Sequence, residues 1–180
     1  MLFNSKPTNV LAVRLLTDLG WVRGHLALQH GATLVDQLDH NDGVLRLLDV
    51  AIPSRHQTTP FMVVRVDAVR IAVVDGAEGR RSYRKVSSAL QPASLLLENY
   101  TVNGHVDLGI EQRLSDVFTE RHAFIHVKTA TLFTEMRAGV LDELGAFSDV
   151  YVNVKRVRAA CEIGSTARPE ERTSRIRQSN

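Results

Sequence analysis

The chain has 180 residues, 44% of them hydrophobic and 23% charged, with a formal net charge of +2. That balance suits one ordinary soluble domain or two very small ones, and it excludes a polycation that holds nucleic acid through bulk charge. Cys161 is the sole cysteine, which excludes an intrachain disulfide and a cysteine-based zinc site.

Residues Met1–Asn9 are polar and read as a lead-in. Arg14 interrupts the apolar run that follows, which therefore lacks the layout of a signal peptide. No stretch approaches the ~18 uncharged apolar residues of a membrane span, and a cytoplasmic location is expected. Val10–Thr17 (VLAVRLLT) has the length and composition of a mostly buried strand. Asp18-Leu19-Gly20 supplies a turn, and Trp21–Leu28 then alternates, with Val22, Gly24, Leu26 and Leu28 on one face. Gly24 inside this strand marks a bulge, a bend or a close backbone approach. Leu34, Val35 and Leu38 are spaced for one or two helical turns, with Thr33 as N-cap and Asp36 beside the free amides. Val44–Ile52, Phe61–Val66 and Val69–Val74 are further strands, the last two joined by a tight turn at Asp67-Ala68.

Moving 80 positions along the chain, Val22–Ile52 lies on Val102–Leu132 without a gap. Val22/Val102, Gly24/Gly104, His25/His105, Leu28/Leu108, Leu34/Leu114 and Asp36/Asp116 are identical, and apolar positions match in type at Leu26/Val106, Leu38/Phe118, Val44/Phe124 and Leu47/Val127. The pattern predicts an internal duplication. Its second unit has strands at Leu95–Leu97, Tyr100–Leu108, Phe124–Leu132, Val150–Val154 and Val157–Cys161, with a short helix at Leu114–Thr119. Val150–Val154 corresponds to Met62–Val66. The connection Phe133–Phe147 is longer than its counterpart, and Val140–Leu144 in it reads as a helical turn ended by Gly145. The domains expected are a first β unit at residues 10–75, a basic linker at 76–93, a second β unit at 94–163 and a disordered basic and acidic tail at 164–180.

The fold class expected is mainly β, as two small, strongly bent sheets or barrels with one short helix each. The strand–short helix–strand pattern and the final VYVNVKRVRAA resemble the SH3-like and Sm-like barrels, although an Sm-like unit places its helix first. Leu114-Ser115-Asp116-Val117-Phe118, with its diverged counterpart Leu34-Val35-Asp36-Gln37-Leu38, resembles the leucine-serine-aspartate-phenylalanine-leucine segment of an uncharacterised bacterial family. That resemblance implies architecture and no activity.

Several residues invite a chemical role. The seven histidines include the repeated, outward-facing pair His25 and His105, and Asp36, Asp39, Asp107 and Asp116 lie near some of them. None has the spacing of a metal motif, so solvated or locally bonded histidines are the expectation. Asp36 and Asp116 are better explained as partners of helix-start amides than as acid–base catalysts. No nucleophile elbow, Walker loop or zincin motif occurs, and no catalytic residue, cofactor or metal is assigned. Arg80-Arg81-Ser82-Tyr83-Arg84-Lys85 is the sharpest basic cluster. The spacing of Arg80 and Arg84 is similar to the arginine motif of PilZ domains, but the partner D/N-x-S-x-x-G motif is absent. With Lys155, Arg156 and Arg158, and tail arginines 168, 172, 175 and 177, the cluster could contact phosphates. The expected function is non-enzymatic binding or assembly through protein–protein contacts of the repeated units, self-association included. The extra segment Arg137–Ala146 is expected to set partner choice. Nucleic-acid binding and sensing of an anionic small ligand are the alternatives.

Overall fold

The computed structural model describes residues 9–28, 32–40, 43–75, 88–109, 112–119, 123–136 and 140–163. These residues form a mainly β molecule. Its strands are β1 (Asn9–Thr17), β2 (Gly20–Leu28), β3 (Val44–Ile52), β4 (Gln57–Arg65), β5 (Val69–Val74), β6 (Ser88–Leu96), β7 (Tyr100–Gly109), β8 (Phe124–Met136), β9 (Val140–Asn153) and β10 (Ala159–Glu162). One α-helix, α1 (Leu34–His40), lies between β2 and β3. The expected second helix is a single 3-10 turn, Asp116–Phe118.

All ten strands belong to one antiparallel sheet that does not close, in the order β10-β6-β7-β8-β9-β5-β1-β2-β3-β4. Residues 9–75 contribute the run β5-β1-β2-β3-β4, and residues 88–163 contribute β10-β6-β7-β8-β9. The same strand order thus occurs twice, and the two runs meet where β5 pairs with β9.

Local sequence explains much of this. In β2 the alternation is realised: Val22, Gly24, Leu26 and Leu28 are buried while Arg23 and His25 are exposed. β5 does not alternate, because it is central; Val69, Ile71, Ala72 and Val73 are all buried. Asp36 closes a capping box: its Oδ2 accepts from the Thr33 amide at 2.8 Å, and the Asp36 amide donates to Thr33 Oγ1 at 3.2 Å. Asp116 Oδ2 likewise accepts from the Arg113 amide at 2.8 Å. Both carboxylates are therefore occupied in building turns.

The glycines mark bulges. Register shifts between Arg23 and His25 against β3, and between Asn103 and His105 against β8. Opposite them Asp49 and Thr129 each take a φ of +49°, a left-handed conformation rare for such residues. The approach is closest at Gly104, where a Cβ would lie 2.6 Å from Val127 Cγ1 and 2.9 Å from the Lys128 carbonyl oxygen.

The two separate sheets or barrels that were expected are instead one open sheet, because β5 and β9 pair across the two runs. Two further expectations are corrected. Val140–Leu144 is strand: β9 runs from Val140 and pairs with β8 as far as Met136↔Val140, so much of the longer connection is an extended hairpin. Cross-strand partners outweigh the weak helical preference of a leucine-aspartate-glutamate-leucine run. The second correction concerns the linker expected over 76–93, whose last residues belong to β6 from Ser88 onward, paired with β7 as Ser88↔Gly109. Residues 76–87, 137–139 and 164–180 lie outside the described residues.

Candidate functional site at the strand edges

The joint between the two runs of strands is short and well packed. Ile71 pairs with Val152, Ala72 with Tyr151 and Val73 with Val150, and all six are buried. Phe124 and Tyr151, from β8 and β9, enter the core that includes Leu34, Leu38, Val69 and Ala72. On the opposite face Ile71 and Val73, from β5, enter the core that holds Val150 and Val152. Each half therefore completes the core of the other. Burying apolar side chains of this size is worth about 1.5–3 kcal/mol each.

Polar groups close the joint. Asn153 is 3% exposed; its Nδ2 donates to the Val69 carbonyl at 2.8 Å, and its Oδ1 accepts from the Lys155 amide at 3.0 Å. Asp39 Oδ1, on α1, accepts from the Ala123 amide at 3.0 Å. Arg156 donates through Nη2 to the Asp67 carbonyl at 2.7 Å and lies 3.5 Å from Asp18 Oδ2.

Among the described residues the sheet has two outer edges, β4 and β10, each hydrogen-bonded along one side only. Along β4, Phe61 and Val63 are 51% and 49% exposed, an unusual load of apolar surface for a sheet edge. Arg65, beside them, turns back on Asp67 through two bonds of 3.0 and 2.6 Å and holds that carboxyl below the usual carboxylate range. Beside β10 is an open pocket of about 480 Å³, whose lining includes Leu114, Phe118 of the 3-10 turn, Val157, Ala159 and Ala160, with Arg113, Ser115, Arg158 and Glu162 as its polar members.

The residues singled out in the sequence are not brought together. His25 is exposed on β2, with Nδ1 3.7 Å from Asp49 Oδ2 at the bulge. His105 is half-buried on β7, opposite Lys128, and four strands lie between β2 and β7 in the sheet. Among the described residues no three His, Cys, Asp or Glu side chains are placed to hold a metal ion. Lys155 and Arg156 occupy the turn Val154–Arg156. Lys155 is exposed there, whereas Arg156 is engaged at the joint. Arg80, Arg81, Arg84 and Lys85 lie outside the described residues, as do the tail arginines and part of Arg137–Ala146.

Sequence reasoning passed over His126 as anything but one of seven histidines. Its side chain is 5% exposed, and its ring stacks on Tyr151 at 4.8 Å and meets Asp149 Oδ1 through Nε2 at 2.8 Å. Burial holds its pKa below the ordinary value, opposed in part by the Asp149 carboxylate. Tyr151 and Asn153 were also missed as joint residues. The available signal was their alignment with Val63 and Arg65, where residue type changes between otherwise matching strands.

Among the described residues no helix is long and apolar enough to cross a membrane. Comparison with protein-family models, curated proteins and solved structures finds no match.

Proposed function

We propose that the chain is a non-enzymatic assembly protein, built by duplication of a small, bent, SH3-like or Sm-like β unit, that acts through protein–protein contacts at its strand edges. The observation that carries this reading is the β4 edge. Among the described residues its outward backbone groups have no strand partner, and Phe61 and Val63 expose about half their surface beside them. Edges of this kind are normally protected by charge, bulges or cover, and they pair readily with another strand. Phe61 and Val63 are separated by one residue and so present one face.

The experiment is recovery of bound proteins with the tagged chain from its source cells, compared with Phe61→Ser/Val63→Ser. The expected result is a bound protein, or further copies of the chain, retained by the wild type and lost by the variant. Identical recovery with both would remove the edge from the function.

A further inference from the structure

The joint inside the chain has a counterpart at its two ends. Pairing registers identify equivalent positions. Leu16↔Ile71 on β1 and β5 corresponds to Leu96↔Ala159 on β6 and β10. Arg46↔Val63 on β3 and β4 corresponds to His126↔Tyr151 on β8 and β9. It follows that β10 has the place of β5, and β4 has the place of β9. Inside the chain those two places are joined; at the ends both are open among the described residues.

The side chains repeat the relation. Tyr151 is buried in the core cluster that includes Leu34, Leu38, Val69 and Ala72. Their equivalents are Leu114, Phe118, Val157 and Ala160, and these line the open pocket beside β10. The equivalent of Tyr151 is Val63, half exposed on β4. Among the described residues the molecule thus carries an unfilled socket at one end and an unburied plug at the other.

We propose that copies of this chain associate head to tail, β10 of one pairing antiparallel with β4 of the next in the register Ala159↔Val64, Ala160↔Val63 and Cys161↔Met62. This names the partner in the assembly reading above and rests on it. Val63 enters the pocket between the 3-10 segment and β10, as Tyr151 enters its socket. Phe61, on the same face, covers the rim. Ala159 and Cys161 turn to the opposite face, where Ile71 and Val73 are buried at the internal joint. The joint is heterologous, using a different surface on each partner, so it propagates in one direction and ends only by closing on itself.

The lone exposed cysteine supplies the test of register. Directly opposed residues of antiparallel strands have Cα atoms about 4.5–5.5 Å apart, within reach of a disulfide. Met62→Cys should cross-link to Cys161 of the next copy and give an oxidised ladder extending past the dimer. Thr58→Cys, out of register on the same strand, should give no ladder, and Cys161→Ser should abolish the Met62→Cys ladder.

Mixing tests the polarity. Val63→Asp blocks only the plug and Ala160→Glu only the socket. Each variant alone should have the 20.0 kDa mass of one chain, whereas an equimolar mixture should form a two-chain complex and nothing larger. Unchanged circular dichroism and melting of each variant show that the fold is intact. If Val63→Asp dissociates the assembly and Ala160→Glu does not, copies meet β4 to β4 and the proposal is overturned.

A monomeric wild type with no Met62→Cys ladder also overturns it. In that case the broader reading survives if a different bound protein is lost with Phe61→Ser/Val63→Ser, and falls if none is.

Discussion

Replacing Gly104 by alanine sets a steric cost against an entropic gain. The added Cβ would lie 2.6 Å from Val127 Cγ1, 2.9 Å from the Lys128 carbonyl oxygen and 3.1 Å from Ala130 Cα. Two of these atoms belong to the backbone of β8, so relief requires β7 and β8 to part at the bulge. Overpacking of this kind costs about 1–3 kcal/mol. Alanine recovers about 0.4–1 kcal/mol by restricting the unfolded chain. The steric cost prevails, and Gly104→Ala should destabilise by about 1–2 kcal/mol, lowering Tm by about 2–8 °C for a chain of this size. Gly24, its counterpart on β2, is the internal control. There the nearest atoms are Leu48 O at 3.1 Å, Val50 Cγ2 at 3.2 Å and Leu47 Cβ at 3.4 Å. Small shifts relieve these contacts, so the two effects nearly offset and Gly24→Ala should change stability by no more than about 0.5 kcal/mol. Urea unfolding of both variants, followed by circular dichroism, measures the difference. A loss at Gly24→Ala equal to or larger than that at Gly104→Ala would refute the steric account.

At the joint, Asn153→Ala leaves the Val69 carbonyl and the Lys155 amide without their side-chain partner and should cost about 2–3 kcal/mol in urea unfolding. Arg65→Ala, at the equivalent exposed position, should cost no more than about 0.5 kcal/mol in the isolated chain. Equal losses would remove the distinction between the filled and open joints. His126 predicts a pH dependence. Its folded pKa is lowered, so the unfolded chain binds more protons just below pH 6.5. Stability from this group is full above pH 6.5 and falls as pH drops from there toward the lowered folded value. His126→Gln should flatten that part of the Tm profile, and Asp149→Asn, which removes the opposing carboxylate, should widen it downward. A wild-type profile unchanged by His126→Gln would show that the ring is not buried as neutral imidazole.

Features that depend on neighbours in sequence were legible from the residues alone. Alternation at Val22, Gly24, Leu26 and Leu28 placed β2 and its buried face, because successive side chains of a strand point to opposite sides. Thr33 and Asp36 specified a helix start, since their bonds span only three residues. The paired glycines announced a close approach that the bulges at Gly24 and Gly104 fulfil. The basic cluster, by contrast, suggested an anion site through Lys155 and Arg156, yet Arg156 is drawn to the Asp67 carbonyl by a fold partner 89 positions away. Val140–Leu144 misled for a related reason: its local composition suits a helix, and its conformation follows from β8.

What the sequence by itself determined is the β unit: its strand faces, capped turns and strand glycines, all governed by chirality, side-chain period and hydrogen bonds of short reach. Tertiary structure alone decided that the strands join in one open sheet, that β5 meets β9, and that Tyr151 and Asn153 are buried while Val63 and Arg65 at the equivalent places are exposed. Burial at a strand edge depends on whether another strand lies beside it, and no local pattern in β4 or β9 records that neighbour. The physical difference between the buried joint and the exposed edge is the presence of that partner.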